Sequence, residues 1–123
     1  LKNCKNKKKS KIFKKKSELI LGTVQLGLKY YDKKIKINQK RATNILTIAK
    51  SKKINYLDTA SNYGMSEKFI GNVTKNNKLT FYISSKLKDL KIRNKVNDLV
   101  LIKKINNNIF SSLINLNTHY NIL

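Results

Sequence analysis

Proline and tryptophan are absent from this 123-residue chain, glycine occurs four times and cysteine only once. A single cysteine, Cys4, excludes an intramolecular disulfide, and with His119 far away it does not form a Cys/His metal site. We therefore expect no metal, and a reducing cytoplasm is the default compartment.

Long apolar runs are also missing. No stretch approaches the roughly 20 apolar residues of a membrane span, and residues 1–16 lack the apolar segment of a secretory signal. The sequence thus predicts no membrane association. Because the chain starts at Leu1 and ends on the apolar run 121–123, we expect it to be part of a longer reading frame.

Acidic residues are scarce, with 6 Asp and Glu against 28 Lys and Arg and a formal charge of +22. Such a charge is typical of proteins that bind nucleic acid or another polyanion. Nucleic-acid readers favour arginine, however, and only Arg41 and Arg93 are present. Compositional drift of an AT-rich coding sequence would also explain the lysines. A basic nucleic-acid-binding protein stays open as the alternative function, although no specific nucleic-acid partner is expected.

The first segment of the chain is the most basic, with nine lysines and no acid in residues 1–16. Like-charge repulsion and few apolar groups predict a disordered tail over residues 1–17. Basic residues continue beyond this tail, so the charge is not confined to one binding arm. We expect residues 18–123 to form the folded part.

Short apolar or β-branched runs alternate with helical patterns from Leu19 onward. Residues 19–21, closed by a glycine, predict a buried strand. Further strands are predicted over 54–60 and 80–86, and residues 120–123 would begin a fourth.

Three helices are predicted between these strands. Asn38 is a plausible N-cap for the first. Ser66 is predicted to cap the second, with Glu67 in its first turn. Helical spacing predicts one shared face in each helix, and the face of the second helix is predicted to be buried. The residues of these faces are Ala42, Ile45, Leu46 and Ala49, then Phe69, Ile70 and Val73, then Ile105, Ile109, Ser112, Leu113 and Leu116.

This alternation predicts parallel βαβ units, of which three and a half are present. Parallel units place functional residues at the C-terminal ends of their strands. Asp58 ends the second predicted strand, Lys86 ends the third, and Tyr63 lies in the loop after the second. Because adjacent strands lie about 4.8 Å apart, Asp58 and Lys86 should meet, with Tyr63 above them.

These three residue types suit one reaction. A carboxylate at a buried strand end needs a cationic partner, and a lysine ammonium favours the phenolate form of a neighbouring tyrosine. Such a tyrosine can donate a proton to a carbonyl oxygen as hydride reaches the carbon. Spacing alone leaves a second interpretation open, in which Asp58 caps a helix, Tyr63 packs on the surface and Lys86 is an ordinary surface lysine.

Several motifs resemble the aldo-keto reductase family. The family shows L-G-T-x-x-F-G, D-T-A-x-x-Y-G-x-S-E, an I/L-G pair and T-K-L in this order, and an S-L-x-x-L helix before the fourth strand. The chain has LGTVQLG at 21–27, LDTASNYGMSE at 57–67, IG at 70–71, SKL at 85–87 and SSLINL at 111–116. The resemblance implies a TIM (β/α)₈ barrel, of which residues 18–123 would be the N-terminal half. It also implies NAD(P)H-dependent reduction of a small-molecule aldehyde or ketone.

The resemblance also assigns roles. Tyr63 matches the family's proton donor, and Lys86 and Asp58 match its supporting charges, with Asp58 also contacting the cofactor ribose. The positions matching the strand beside the nicotinamide are Gly22, Thr23 and Val24. The cofactor would be NADP(H) or NAD(H), because the residues that distinguish them lie in the second half of the barrel.

The chain also departs from the family pattern. The family's catalytic histidine would fall beyond Leu123, and His119 precedes the fourth strand, so we expect the isolated chain to be inactive. Lys53 and Tyr31 stand where the family commonly has glycine. If the backbone at Lys53 is left-handed, lysine costs about 1 kcal/mol there.

Overall fold

Three short strands form the centre of the structure, a computed structural model that describes residues 19–28, 37–92 and 96–118. They are β1 (Ile20–Gly22), β2 (Tyr56–Asp58) and β3 (Tyr82–Ser84). All pairs are parallel and the order is β1-β2-β3. The helices in the described ranges are α1 (Val24–Gly27), α2 (Gln39–Ser51), α3 (Ser66–Asn77) and α4 (Asp98–Leu116). The predicted parallel βαβ architecture is confirmed. The prediction that residues 19–21 are buried is wrong, because β1 is an outer strand of the described sheet and Leu19 and Ile20 are both 64% exposed.

The strands are shorter than the sequence predicts, because regular pairing stops at Asp58 and Ser84. Contact between the two chain segments nevertheless continues. The Thr59 amide donates to the Ser84 carbonyl at 2.8 Å, and the Ser61 amide donates to the Lys86 carbonyl at 3.1 Å. The segments that follow β2 and β3 are therefore held side by side beyond the sheet.

Helix α2 matches its prediction. The Asn38 side chain accepts a hydrogen bond from the Arg41 amide at 3.0 Å and caps the helix. Ala42, Leu46 and Ala49 are buried. After the helix ends, Lys53 has a φ of 63°, so the backbone is left-handed at this position, where the family commonly has glycine.

Helix α3 corrects one prediction. Its N-cap is Met65, which makes no side-chain cap, and Ser66 is the first helical residue. The Ser66 hydroxyl is fully buried and bonds to the residue directly after β1 and to the segment after β2, so it does not cap its own helix. Ile70 and Val73 are fully buried as predicted, whereas Phe69 of the same predicted face is only half-buried. Glu67 lies in the first turn, as predicted.

The core contains side chains from four helices and the central strand. It consists of Leu26, Ala42, Leu46, Leu57, Ile70, Val73 and Leu116. Helix α1, which supplies Leu26, is four residues long and was not predicted, because it is too short to show a helical period.

Helix α4 is only partly covered. Of the residues predicted to share one face, Ser112 and Leu116 are buried, but Ile109 is 37% exposed. No helix in the described part of the chain is long and apolar enough to cross a membrane. The predicted tail, Tyr31 and the predicted fourth strand at 120–123 lie outside the described residues.

Candidate active site

The C-terminal ends of the three strands lie level with one another. The register pairs Gly22 with Asp58 and Asp58 with Ser84. Asp58 is the last residue of β2, and Lys86 lies two residues beyond the end of β3. Tyr63 lies in the loop of residues 60–65 between β2 and α3. Parallel pairing therefore places all three predicted residues at one edge of the sheet.

An ion pair joins two of these residues. The Lys86 Nζ atom lies 2.5 Å from Asp58 Oδ1, and the two side chains are 49% and 41% exposed, respectively. The same ammonium lies 5.7 Å from the centre of the Tyr63 ring. The geometric prediction that Asp58, Tyr63 and Lys86 converge is thus confirmed, while their catalytic roles stay predictions.

The charge of Lys86 is stabilised by this arrangement. The hydrogen bond to Asp58 raises the pKa of Lys86, partial burial opposes that effect, and electrostatic interactions with Asp58 and Tyr63 add to the increase. Lys86 is therefore a cation at neutral pH, and it places a fixed positive charge beside the tyrosine ring.

The loop that carries Tyr63 is tightly turned. The Tyr63 amide donates to the Ala60 carbonyl, and the Tyr63 carbonyl accepts from the Ser66 amide, both at 3.0 Å. Gly64 has a φ of 56°, which glycine adopts without strain. Across the loop, a Cβ atom on Gly27 would overlap the Tyr63 carbonyl oxygen. The second glycine of the LGTVQLG motif therefore allows α1 to approach the tyrosine loop.

Three buried hydroxyl groups lie beneath this loop. The Thr23 hydroxyl donates to the Asp58 carbonyl at 2.9 Å. Ser66 Oγ lies 2.9 Å from Thr23 Oγ1 and 3.2 Å from Thr59 Oγ1. All three residues are fully buried. Thr59 and Ser66 stand in the family-like motif, but sequence reasoning gave them no function in the site.

A second polar contact lies beside the first. Glu67 is 3% exposed, and its carboxylate accepts a hydrogen bond from the Ser85 hydroxyl at 2.7 Å. Ser85 directly precedes Lys86. Glu67 was visible in the sequence, but it was interpreted only as a charge that suits the helix dipole, so its contact with Ser85 was not predicted.

The predicted cofactor residues differ in how accessible they are. Gly22 is exposed, and a Cβ built on it would meet nothing within 4 Å, so space is open beside the end of β1. Val24 is half-buried. Thr23 is fully buried, and its amide and hydroxyl both donate to the Asp58 carbonyl. Open space at Gly22 and the exposed carboxylate of Asp58 fit a nicotinamide ribose. The four cofactor contacts stay predictions.

No group of three His, Cys, Asp or Glu residues in the described ranges could hold a metal ion. A cavity of about 230 Å³ lies between the C-terminal ends of α3 and α4 and the start of β3, lined by residues that include Leu79, Phe81 and Leu116. It lies at the end of β3 opposite to Lys86 and contains none of the predicted site residues.

Comparison with known proteins identifies the family. The family model of the aldo/keto reductase family matches residues 18–121. Two solved structures of candidate aldo-keto reductases from Pseudomonas aeruginosa resemble this chain. One has a TM-score of 0.61 and 26% identity over 80% of this chain and 37% of its own length. The other has a TM-score of 0.60 and 25% identity over 80% and 36%, respectively. No curated protein matches the chain.

These similarities also bear on fold and function. The chain spans little more than a third of the length of the solved structures that it matches. The parallel α/β architecture agrees with the first units of their (β/α)₈ barrel, as predicted. The family is one of oxidoreductases, and none of these findings favours a nucleic-acid-binding protein. With the match over residues 18–121, the chain belongs to the aldo/keto reductase family.

Proposed function

We propose that the chain contributes the proton-donating half of a reductase that converts aldehydes or ketones to alcohols with NADPH or NADH. The observation that carries this proposal is the convergence of Asp58, Lys86 and Tyr63 at the C-terminal edge of the sheet. Active sites of (β/α)₈ barrels lie at this edge. Residues 18–123 would form the N-terminal half of the barrel, preceded by a basic tail at 1–17.

Each residue has a distinct role in the proposed mechanism. A nicotinamide cofactor, when bound, would supply hydride to the carbonyl carbon. The Tyr63 hydroxyl donates its proton to the carbonyl oxygen, so that the C=O double bond becomes a C–O single bond with a new C–H and a new O–H bond. The Lys86 ammonium stabilises the phenolate that remains. Asp58 orients Lys86 through their ion pair and offers a carboxylate to the cofactor ribose.

The proposed cofactor contacts are Gly22, Thr23, Val24 and Asp58. Since Thr23 is buried, its contribution is to fix the backbone beside the nicotinamide rather than to donate a hydrogen bond from its side chain. The 123 residues alone are proposed to be inactive, because they span little more than a third of the related structures. A complete barrel would supply the remaining cofactor and substrate surface.

The proposal is tested by Tyr63→Phe in a reductase polypeptide that contains this chain and a complete barrel. Phenylalanine keeps the ring and removes the hydroxyl group that carries the proton, so carbonyl reduction should fall by about a hundredfold or more, with nicotinamide binding retained. Tyr82→Phe is the matched control, because Tyr82 is an exposed residue of β3 whose ring stacks on Tyr56. Near-normal turnover of Tyr63→Phe would remove this residue from the mechanism.

A further inference from the structure

We infer that Ser66 and Glu67, the first two residues of α3, are positioning residues that hold Tyr63 and Lys86 in their relative places. The catalytic consequence rests on the proposed function, whereas the geometric consequence does not. Ser66 acts on the loop that carries Tyr63, and Glu67 acts on the segment that carries Lys86.

The hydroxyl groups around Ser66 form a chain with a defined direction. Each hydroxyl has one hydrogen to donate. Thr23 gives its hydrogen to the Asp58 carbonyl, which can only accept. Ser66 then donates to Thr23, whose hydroxyl and carbonyl oxygens lie at 2.9 and 3.0 Å. Thr59 must therefore donate to Ser66. Removing the Ser66 hydroxyl would interrupt this chain at its centre.

This chain closes the base of the tyrosine loop. Thr59 and Ser66 flank residues 60–65, and their hydroxyl oxygens are 3.2 Å apart. The Ser66 amide donates to the Tyr63 carbonyl, so Ser66 holds the loop through both side chain and backbone. Its contact with Thr23 anchors the closed loop to the end of β1. Opening this base would free Tyr63 to move away from Lys86.

Glu67 fixes the other side of the site. An acid in the first turn of a helix is favourable even when exposed to water, yet this carboxylate is buried and accepts from Ser85. A buried carboxylate needs such a partner. Lys86 follows Ser85 in the chain, and its carbonyl accepts hydrogen bonds from both the amide and the hydroxyl of Ser61. The Lys86 backbone is thereby tied both to α3 and to the tyrosine loop.

The inference is tested in the complete-barrel polypeptide with Ser66→Ala and Ser85→Ala. Ser51→Ala is the matched control, since its hydroxyl also donates to a carbonyl but lies in α2. Hydrogen exchange is measured at the amides of Ser61 and Tyr63 and, for reference, within α2. In Ser66→Ala, exchange at Tyr63 should accelerate by about tenfold, which corresponds to the loss of one hydrogen bond, with α2 unchanged.

Steady-state kinetics supply the second measurement. Misplacement of Tyr63 should lower kcat of Ser66→Ala by about tenfold to a hundredfold, with KM nearly unchanged. Ser85→Ala should lower kcat less, and Ser85→Thr, which keeps the hydroxyl at an exposed position, should restore it. If Ser66→Ala does not fold, Thr59→Val removes the Thr59–Ser66 hydrogen bond at nearly constant volume and should also accelerate exchange at Tyr63.

Several outcomes would overturn the roles proposed for Ser66 and Glu67. Unchanged Tyr63 exchange and unchanged kcat in Ser66→Ala would overturn the role of Ser66, as would an equal acceleration throughout α2. Unchanged kcat in Ser85→Ala would overturn the role of Glu67. If the wild-type polypeptide reduces no carbonyl while Ser66→Ala still loosens Tyr63 locally, the proposed function fails and the positioning contact stands.

Discussion

Helices α3 and α4 follow neighbouring strands but differ sharply in how they are packed. Five of the 12 residues of α3 are buried, whereas only two of the 19 residues of α4 are. Leu99 and Ile114 of α4 are 74% and 77% exposed, while Ile70 of α3 is fully buried. Helix α4 is thus more apolar than α3 and yet less buried. The number of apolar residues in a helix does not by itself show how well the helix is packed.

The difference matters because the candidate site depends on the packed helix. The loop of Tyr63 ends at the first turn of α3, and Glu67 of that turn contacts the residue before Lys86. Helix α3 in turn packs between α1, α2 and α4. The site therefore depends on the tightly packed part of the chain, and α4 supports it through its contact with α3.

Replacing one isoleucine by alanine in each of the two helices should give the largest difference in the free energy of unfolding. Ile70→Ala removes a fully buried side chain and should lower the free energy of unfolding by about 2–5 kcal/mol. Ile114→Ala at an exposed position should change it by less than about 0.5 kcal/mol. Urea unfolding followed by circular dichroism measures both. Equal losses would mean that α4 buries Ile114 against another surface in solution.

Substitutions at the N-caps of α2 and α4 should show a smaller difference in stability. Asn38→Ala and Asn97→Ala each remove a side-chain acceptor for a helix amide, worth about 1 kcal/mol locally. Because α2 opens only with the core, the whole loss should appear in the unfolding of Asn38→Ala. In Asn97→Ala, the exposed first turn of α4 should fray while the unfolding midpoint changes little. Hydrogen exchange at Leu101 checks the fraying, and equal midpoint shifts would contradict the comparison.

Local signals account for what could be predicted of the fold. Short apolar runs marked the strands, and Asn38 before a helical pattern marked a cap that the structure contains. Ser66 was misassigned as a cap, because its hydroxyl bonds to Thr23, 43 positions earlier in the chain. The exposure of Ile109 was also missed, since helical spacing defines a face but does not show whether a partner covers it.

The candidate site divides in the same way. The convergence of Asp58 and Lys86 was predictable because parallel strands bring their C-terminal ends to one edge. The hydroxyl chain through Ser66 and the contact of Glu67 with Ser85 were not. Both depend on how closely the first turn of α3 approaches the sheet, and no sequence spacing fixes that distance. The exposed charged residues were thus predictable from the sequence, whereas the buried hydrogen bonds that hold them in place were visible only in the structure.

Two residues that directly follow helices have left-handed backbone conformations. Lys53, after α2, and Asn117, after α4, have φ values of 63° and 49°. Lysine is strained in this region, whereas asparagine tolerates it. Lys53→Gly should therefore raise the free energy of unfolding by about 0.5–1 kcal/mol, and Asn117→Gly should have a smaller effect. Thermal unfolding tests this, and a destabilised Lys53→Gly would show that the lysine side chain stabilises the packed part in another way.

The smallest effect concerns pH and the ion pair at the site. Because the pKa of Lys86 is raised by Asp58, its contribution to stability is present below the ordinary value of 10.5 and is lost as pH rises through the raised value. The pair is half exposed, so salt should weaken it as well. We expect the stability difference between Lys86→Met and wild type to be constant near neutral pH and to shrink in alkali. Lys103→Met, at an exposed position of α4, is the control for general effects of alkali. Urea midpoints measured from neutral pH into the alkaline range would test this, and an equal pH dependence in both variants would show that the ion pair does not stabilise the fold.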